Sequence, residues 1–83
     1  MRFDVLLHEL HLFKSRTTAT HAIREGEALL DGARVKPSHE VAAGARITLR
    51  RGETRTTLEL LALPGRSLSK PAARELLREI GPG

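Results

Sequence analysis

The chain has 83 residues, no cysteine, and 14 basic against 10 acidic side chains, for a formal charge of +4 and a pI near 10.7. That length supports one domain with a modest core. The absence of cysteine excludes disulfides and thiolate metal sites, and no apolar run approaches the roughly 20 residues of a membrane-spanning helix. Phe3 and Phe13 are the only aromatics, which argues against a row of exposed rings stacking single-stranded bases.

The opening stretch MRFDVLLHEL is interrupted by Asp4, His8 and Glu9, so it does not read as a signal peptide. Phe3, Leu6, Leu7 and Leu10 follow the i, i+3, i+4, i+7 template, which predicts a helix over 4–10 with Asp4 in its first turn. Leu12 and Phe13 are expected to pack back from the turn. Ser15 or Thr17 can cap a second helix over 16–25, with Ala19, Ala22 and Ile23 as its apolar stripe and Gly26 ending it. The two helices form a helix–turn–helix-like hairpin around a basic turn. Lys14, Arg16 and Arg24 occur there with no acid before Glu25.

After Gly26 the pattern becomes strand-like. Asp31-Gly32 lies between two short apolar runs and signals a two-residue hairpin turn, because both residues tolerate positive φ. Lys36-Pro37-Ser38 and Ala43-Gly44 read as turns. Residues 46–51 alternate, with Ile47 and Leu49 on one face and Arg46, Thr48 and Arg50 on the other. Gly52-Glu53 turns the chain into a last strand over 54–61. Ser69 can cap a final helix over 71–80, with Ala73, Leu76, Leu77 and Ile80 as its stripe and Gly81-Pro82-Gly83 as its end. The predicted order α-α-β-β-β-β-α is an α+β domain with a small antiparallel sheet.

The series Arg2-x-Asp4, Phe13-Lys14-Ser15-Arg16-Thr17, Ala19, Ile23, Gly26, Asp31-Gly32-x-x-Val35-x-Pro37, Val41, Gly44 and Ile47 resembles the ribosomal-protein S-four RNA-binding domain, or αL motif, over about residues 2–51. The resemblance implies a domain over 1–62, with 63–83 as a loop and helix packed on it. It implies non-enzymatic binding of structured RNA, mainly ribosomal RNA or tRNA, in the cytoplasm. Stand-alone bacterial members of the RqcP type and the heat-shock-fifteen type act on the large ribosomal subunit in quality control. The short chain and the single helix expected after the sheet resemble the first type more. Val5, His8, His11, Asp31 and Ala45 stand where the family often has Lys, a basic residue twice, Asn and an acid.

The resemblance implies RNA contact for Arg2, His11, Lys14, Ser15, Arg16 and Thr17. Arg34 and Lys36 on the hairpin side, and Arg46, Arg50 and Arg51 on the sheet, extend the basic surface. Arg2 either pairs with Asp4 or touches phosphate. Arg55, Arg66, Arg74 and Arg78 have acids nearby and read as solubility charge. His8 and His11 lack a third ligand at a metal-binding spacing, so no metal or cofactor is implied. No phosphate loop, nucleophile elbow or paired carboxylates point to catalysis. A free monomer is expected. The competing reading is a protein-interaction adaptor using Leu29 and the final helix.

Overall fold

The computed structural model describes residues 1–65 and 67–81; Arg66, Pro82 and Gly83 lie outside the described residues. Helix α1 is Phe3–Glu9, and its apolar stripe Phe3, Leu6 and Leu7 is fully buried. Helix α2 is Arg16–Arg24, with Ala19, Ala22 and Ile23 facing α1 and the sheet. Of the two candidate caps, Ser15 takes the role: its hydroxyl accepts from the Thr18 N–H at 3.1 Å, and the Thr18 hydroxyl accepts from the Ser15 N–H at 3.2 Å. This reciprocal arrangement satisfies two N–H donors that a helix start otherwise leaves unpaired.

Strands β1 (Ala28–Leu30), β2 (Arg46–Arg51), β3 (Thr54–Leu60) and β4 (Leu77–Gly81) form one antiparallel sheet in the order β1-β2-β3-β4. The register sets Ile47 opposite Leu30 and Leu58, so the apolar face of the sheet meets the two helices. Asp31 (φ 50°) and Gly32 (φ 79°) make the expected turn, closed by a single Leu30–Ala33 bridge. The chain then leaves the sheet, and β1 pairs with β2 instead. The opposite sheet face is also partly covered: Thr48 is buried, with its hydroxyl 3.1 Å from that of Thr57, and Leu29 is buried too. Leu29 is therefore not the open docking position that the adaptor reading assumed.

The final segment differs from expectation in its extent. A C-terminal helix, α3, is present, but it spans only Lys70–Arg74, and residues 77–81 form an edge strand instead of the rest of a helix. Ser69 caps it as expected. The reason lies in β3: its outer backbone groups need partners, and β4 supplies them, beginning with Leu61 N–H to the Leu76 carbonyl at 2.7 Å. Ladder pairing outweighs a helical spacing that only Ala73, Leu76, Leu77 and Ile80 carry. Among the described residues, no helix is long and apolar enough to cross a membrane.

Candidate nucleic-acid interface

The loop after the Asp31-Gly32 turn is tied to the start of α1. Phe3 N–H donates to the His39 carbonyl (2.9 Å) and Asp4 N–H to the Pro37 carbonyl (3.1 Å). These are two of the free donors at a helix N-terminus, and here a loop satisfies them. Val41 N–H donates to Met1 (2.9 Å), and Arg2 bridges Glu40, so the N-terminal residues and residues 37–41 run as a short ladder. That ladder sets Lys36, Pro37 and Ser38 alongside α2.

Between them lies an open groove of about 610 Å³. Arg16, Thr20 and Arg24 line one wall and Val35 to Ser38 the other, with Arg2 and Asp4 between them. Four cations thus surround one carboxylate. The carboxylate is buried, whereas Arg2, Arg16, Arg24 and Lys36 are exposed. Arg2 donates to both Asp4 oxygens, Nε to Oδ1 at 3.1 Å and a terminal nitrogen to Oδ2 at 3.0 Å. Val5 N–H (2.8 Å) binds Oδ1, and Arg16 Nε (3.5 Å) and the Thr20 hydroxyl (3.4 Å) approach Oδ2. Burial pushes the Asp4 pKa up. The Arg2 hydrogen bond, the Val5 N–H and the charges of Arg2 and Arg16 outweigh it and hold the carboxyl below its ordinary range. Asp4 is thus a fixed anion that orients two arginines across the groove mouth, and the groove keeps a positive balance.

The sequence-predicted site residues divide into separate groups. Arg2, Arg16 and Lys36 meet in the groove. Ser15 is the α2 cap, and Lys14 and Thr17 are exposed beside it. Arg34 donates to the Arg24 carbonyl at the end of α2, so its guanidinium completes the helix C-terminus. His11, at φ 59°, hydrogen-bonds through Nε2 with the Leu68 carbonyl and joins the helical turn to the C-terminal loop. Arg50 and Arg51 lie on the other flank of α2; Arg51 donates to the Leu12 carbonyl at 2.9 Å and stands 5.5 Å over the Phe13 ring. Arg46 donates its N–H to the Asp31 carboxylate at 2.9 Å.

Arg24 and Thr20 belong to the groove, although the sequence reading gave them no part in the site. The signal was present: Arg16, Thr20 and Arg24 are spaced i, i+4, i+8 and share one helix face. Among the described residues, no group of three or more His, Asp or Glu side chains is arranged to hold a metal ion.

Residues 1–47 match the model of the S4 domain family. The chain is also similar to a solved structure of heat shock protein 15 from Vibrio cholerae, described as trimeric. The two are 33% identical with a TM-score of 0.87, over 95% of this chain and 80% of that one. No curated protein matches by sequence.

Proposed function

The chain belongs to the S4 domain family, and from that premise we propose that it is a non-enzymatic binder of structured RNA, contacting the phosphate backbone through the groove beside α2. The observation that carries this reading is four exposed cations around one buried, fully engaged carboxylate. The groove is open to solvent and its exposed lining is mostly cationic, which suits a phosphate backbone. A-form RNA presents its phosphates and 2′-hydroxyls, while the major-groove edges of its bases lie in a groove too deep and narrow to read. A protein of this kind recognises shape and charge.

Within that reading, Arg16, Arg24 and Lys36 contact phosphate directly, with Lys14 and Thr17 extending the track past the start of α2. Arg2 contacts the backbone from its seat on Asp4. Ser15, Arg34 and His11 hold the surface in place, and Arg50 and Arg51 carry its far margin. The partner is ribosomal RNA or tRNA, with the large ribosomal subunit in quality control or stalled-subunit recycling as the setting, in the cytoplasm. The protein is a monomer when free. The S4 family membership and the likeness to heat shock protein 15 support RNA binding as such, and the ribosomal setting is what the resemblance of the sequence implies. A second reading, a protein adaptor, is favoured by the exposed apolar side chains of Leu61, Leu63 and Ile80.

A salt series separates the two. Binding to ribosomal RNA and tRNA should weaken steeply with salt. Arg24→Ala and Lys36→Ala should each make the slope shallower by about 0.7–0.9, the value for one phosphate contact. Arg78→Ala, which removes an ion pair with Glu59 on β3, should leave the slope unchanged. Salt-insensitive binding, or an Arg78→Ala loss as large as that of Arg24→Ala, overturns the groove assignment.

A further inference from the structure

The other flank of α2 holds a smaller and more enclosed slot of about 170 Å³, lined by Phe13, Thr18, His21, Glu27, Arg50 and Arg51. Its position relative to the groove follows from the helix. At about 100° per residue, Arg16, Thr20 and Arg24 lie on one margin of the exposed arc of α2 and Thr18 and His21 on the other, with Thr17 between. An RNA laid across the solvent face of α2 therefore meets both.

The chemistry of the slot differs from that of the groove. The groove offers cations around a carboxylate already engaged by arginines. The slot offers two planar surfaces, the half-buried Phe13 ring and the Arg51 guanidinium above it, and a carboxylate at its edge. Glu27 and Arg50 both line the slot, yet among the described residues neither side chain is in an ion pair. Their only hydrogen bond to each other is between backbones, Arg50 N–H to the Glu27 carbonyl at 2.7 Å. A phosphate track would not place an unpaired acid here. A ligand with a flat face and a donor edge explains all three features.

We propose that the slot receives one unpaired nucleobase, bulged from the RNA helix that the groove holds. The base stacks on the Phe13–Arg51 pair, its N–H edge donates to the Glu27 carboxylate, and Arg50 meets the adjoining phosphate. Bases splayed out of RNA are recognised in this way, by stacking on a ring or guanidinium and by hydrogen bonds to an edge. Guanine fits best, because its N1–H and N2–H donors lie side by side and suit the two oxygens of one carboxylate. This inference rests on RNA binding through the groove.

The test uses the full chain and RNA hairpins that share one stem, either fully paired or with a single bulged G, A, C or U. The bulged G hairpin should bind roughly tenfold tighter than the paired one, the scale of one base–aromatic stack. Glu27→Gln, at an exposed position, should abolish the preference for G over A, read as the ratio of the two bulged-hairpin affinities in the same protein so that the general effect of removing a negative charge cancels. Phe13→Leu should remove the advantage of every bulge. Because Phe13 also packs on the core, 2-aminopurine placed in the bulge supplies an independent reading with unaltered protein: its fluorescence should change on binding. Equal, salt-sensitive affinity for all hairpins, with no fluorescence change, overturns the slot and leaves the groove intact. Absence of RNA binding overturns both.

Discussion

Asp4→Asn tests whether the buried carboxylate organises the groove. The substitution keeps the size of the side chain and replaces one oxygen by an amide nitrogen. With the remaining oxygen at Oδ1, the bonds from Arg2 Nε (3.1 Å) and Val5 N–H (2.8 Å) survive without charge. The second Arg2 bond (3.0 Å) is lost, because an amide donor now faces two guanidinium donors; the approach of Arg16 (3.5 Å) is lost with it, and that of Thr20 (3.4 Å) reverses, its hydroxyl turning to accept. The last two lie at the long limit of hydrogen bonding and count for little. A hydrogen bond to a charged group contributes about 1.5–3 kcal/mol. The side chains of Arg2 and Arg16 are 46% and 53% exposed, so solvent screens their part and the lower half of that range applies. The expected loss is about 2 kcal/mol, or about 8–16 °C in Tm for a domain of this size.

Thermal melts followed by circular dichroism read the loss directly, and their pH dependence identifies its source. The native carboxyl is held below its ordinary value, so its stabilisation is complete above the unfolded pKa of about 3.9 and disappears as pH falls through the lowered native value. The gap between the parent chain and Asp4→Asn should therefore be constant from pH 7 to 5 and close on further acidification. It should also narrow in high salt, because both partners reach solvent. A variant melting within about 2 °C of the parent at pH 7, or a gap unchanged in strong acid, would refute the role given to Asp4.

Three further substitutions probe what supports α2. Gly26→Ala should destabilise by about 1–2 kcal/mol in urea unfolding, because φ is +76° and a Cβ would stand 3.3 Å from Arg34 Nε; an unchanged midpoint would contradict this. Ser15→Ala should cost about 1 kcal/mol through loss of the cap to Thr18, measured the same way. Arg34→Ala should lower the urea midpoint by about 1 kcal/mol yet leave the salt slope of RNA binding unchanged, since its guanidinium is engaged by the Arg24 carbonyl. A slope change of about 0.7–0.9 would instead show a phosphate contact.

Local chemistry determined much of this protein from its sequence. Helical spacing located α1 and α2 within a residue at each end, because one apolar stripe per helix is the pattern a small core demands. Ser15 and the Asp31-Gly32 pair could be read because cap and turn preferences depend on the residues themselves. Alternation located β2 and β3, and the ordered series from Arg2 to Ile47 pointed to the family. The rest depended on neighbours distant in the chain. Residues 77–81 became a strand because the open edge of β3 lay beside them. The groove exists because the carbonyls of Pro37 and His39 satisfy the start of α1 and bring Lys36 opposite Arg24. The direction of each arginine was likewise a tertiary matter. Asp4 draws Arg2 and Arg16 to the groove, the end of α2 takes Arg34, and Leu12 with Phe13 takes Arg51. A long cation follows whichever acceptor the fold brings within reach, and no spacing along the chain records that choice.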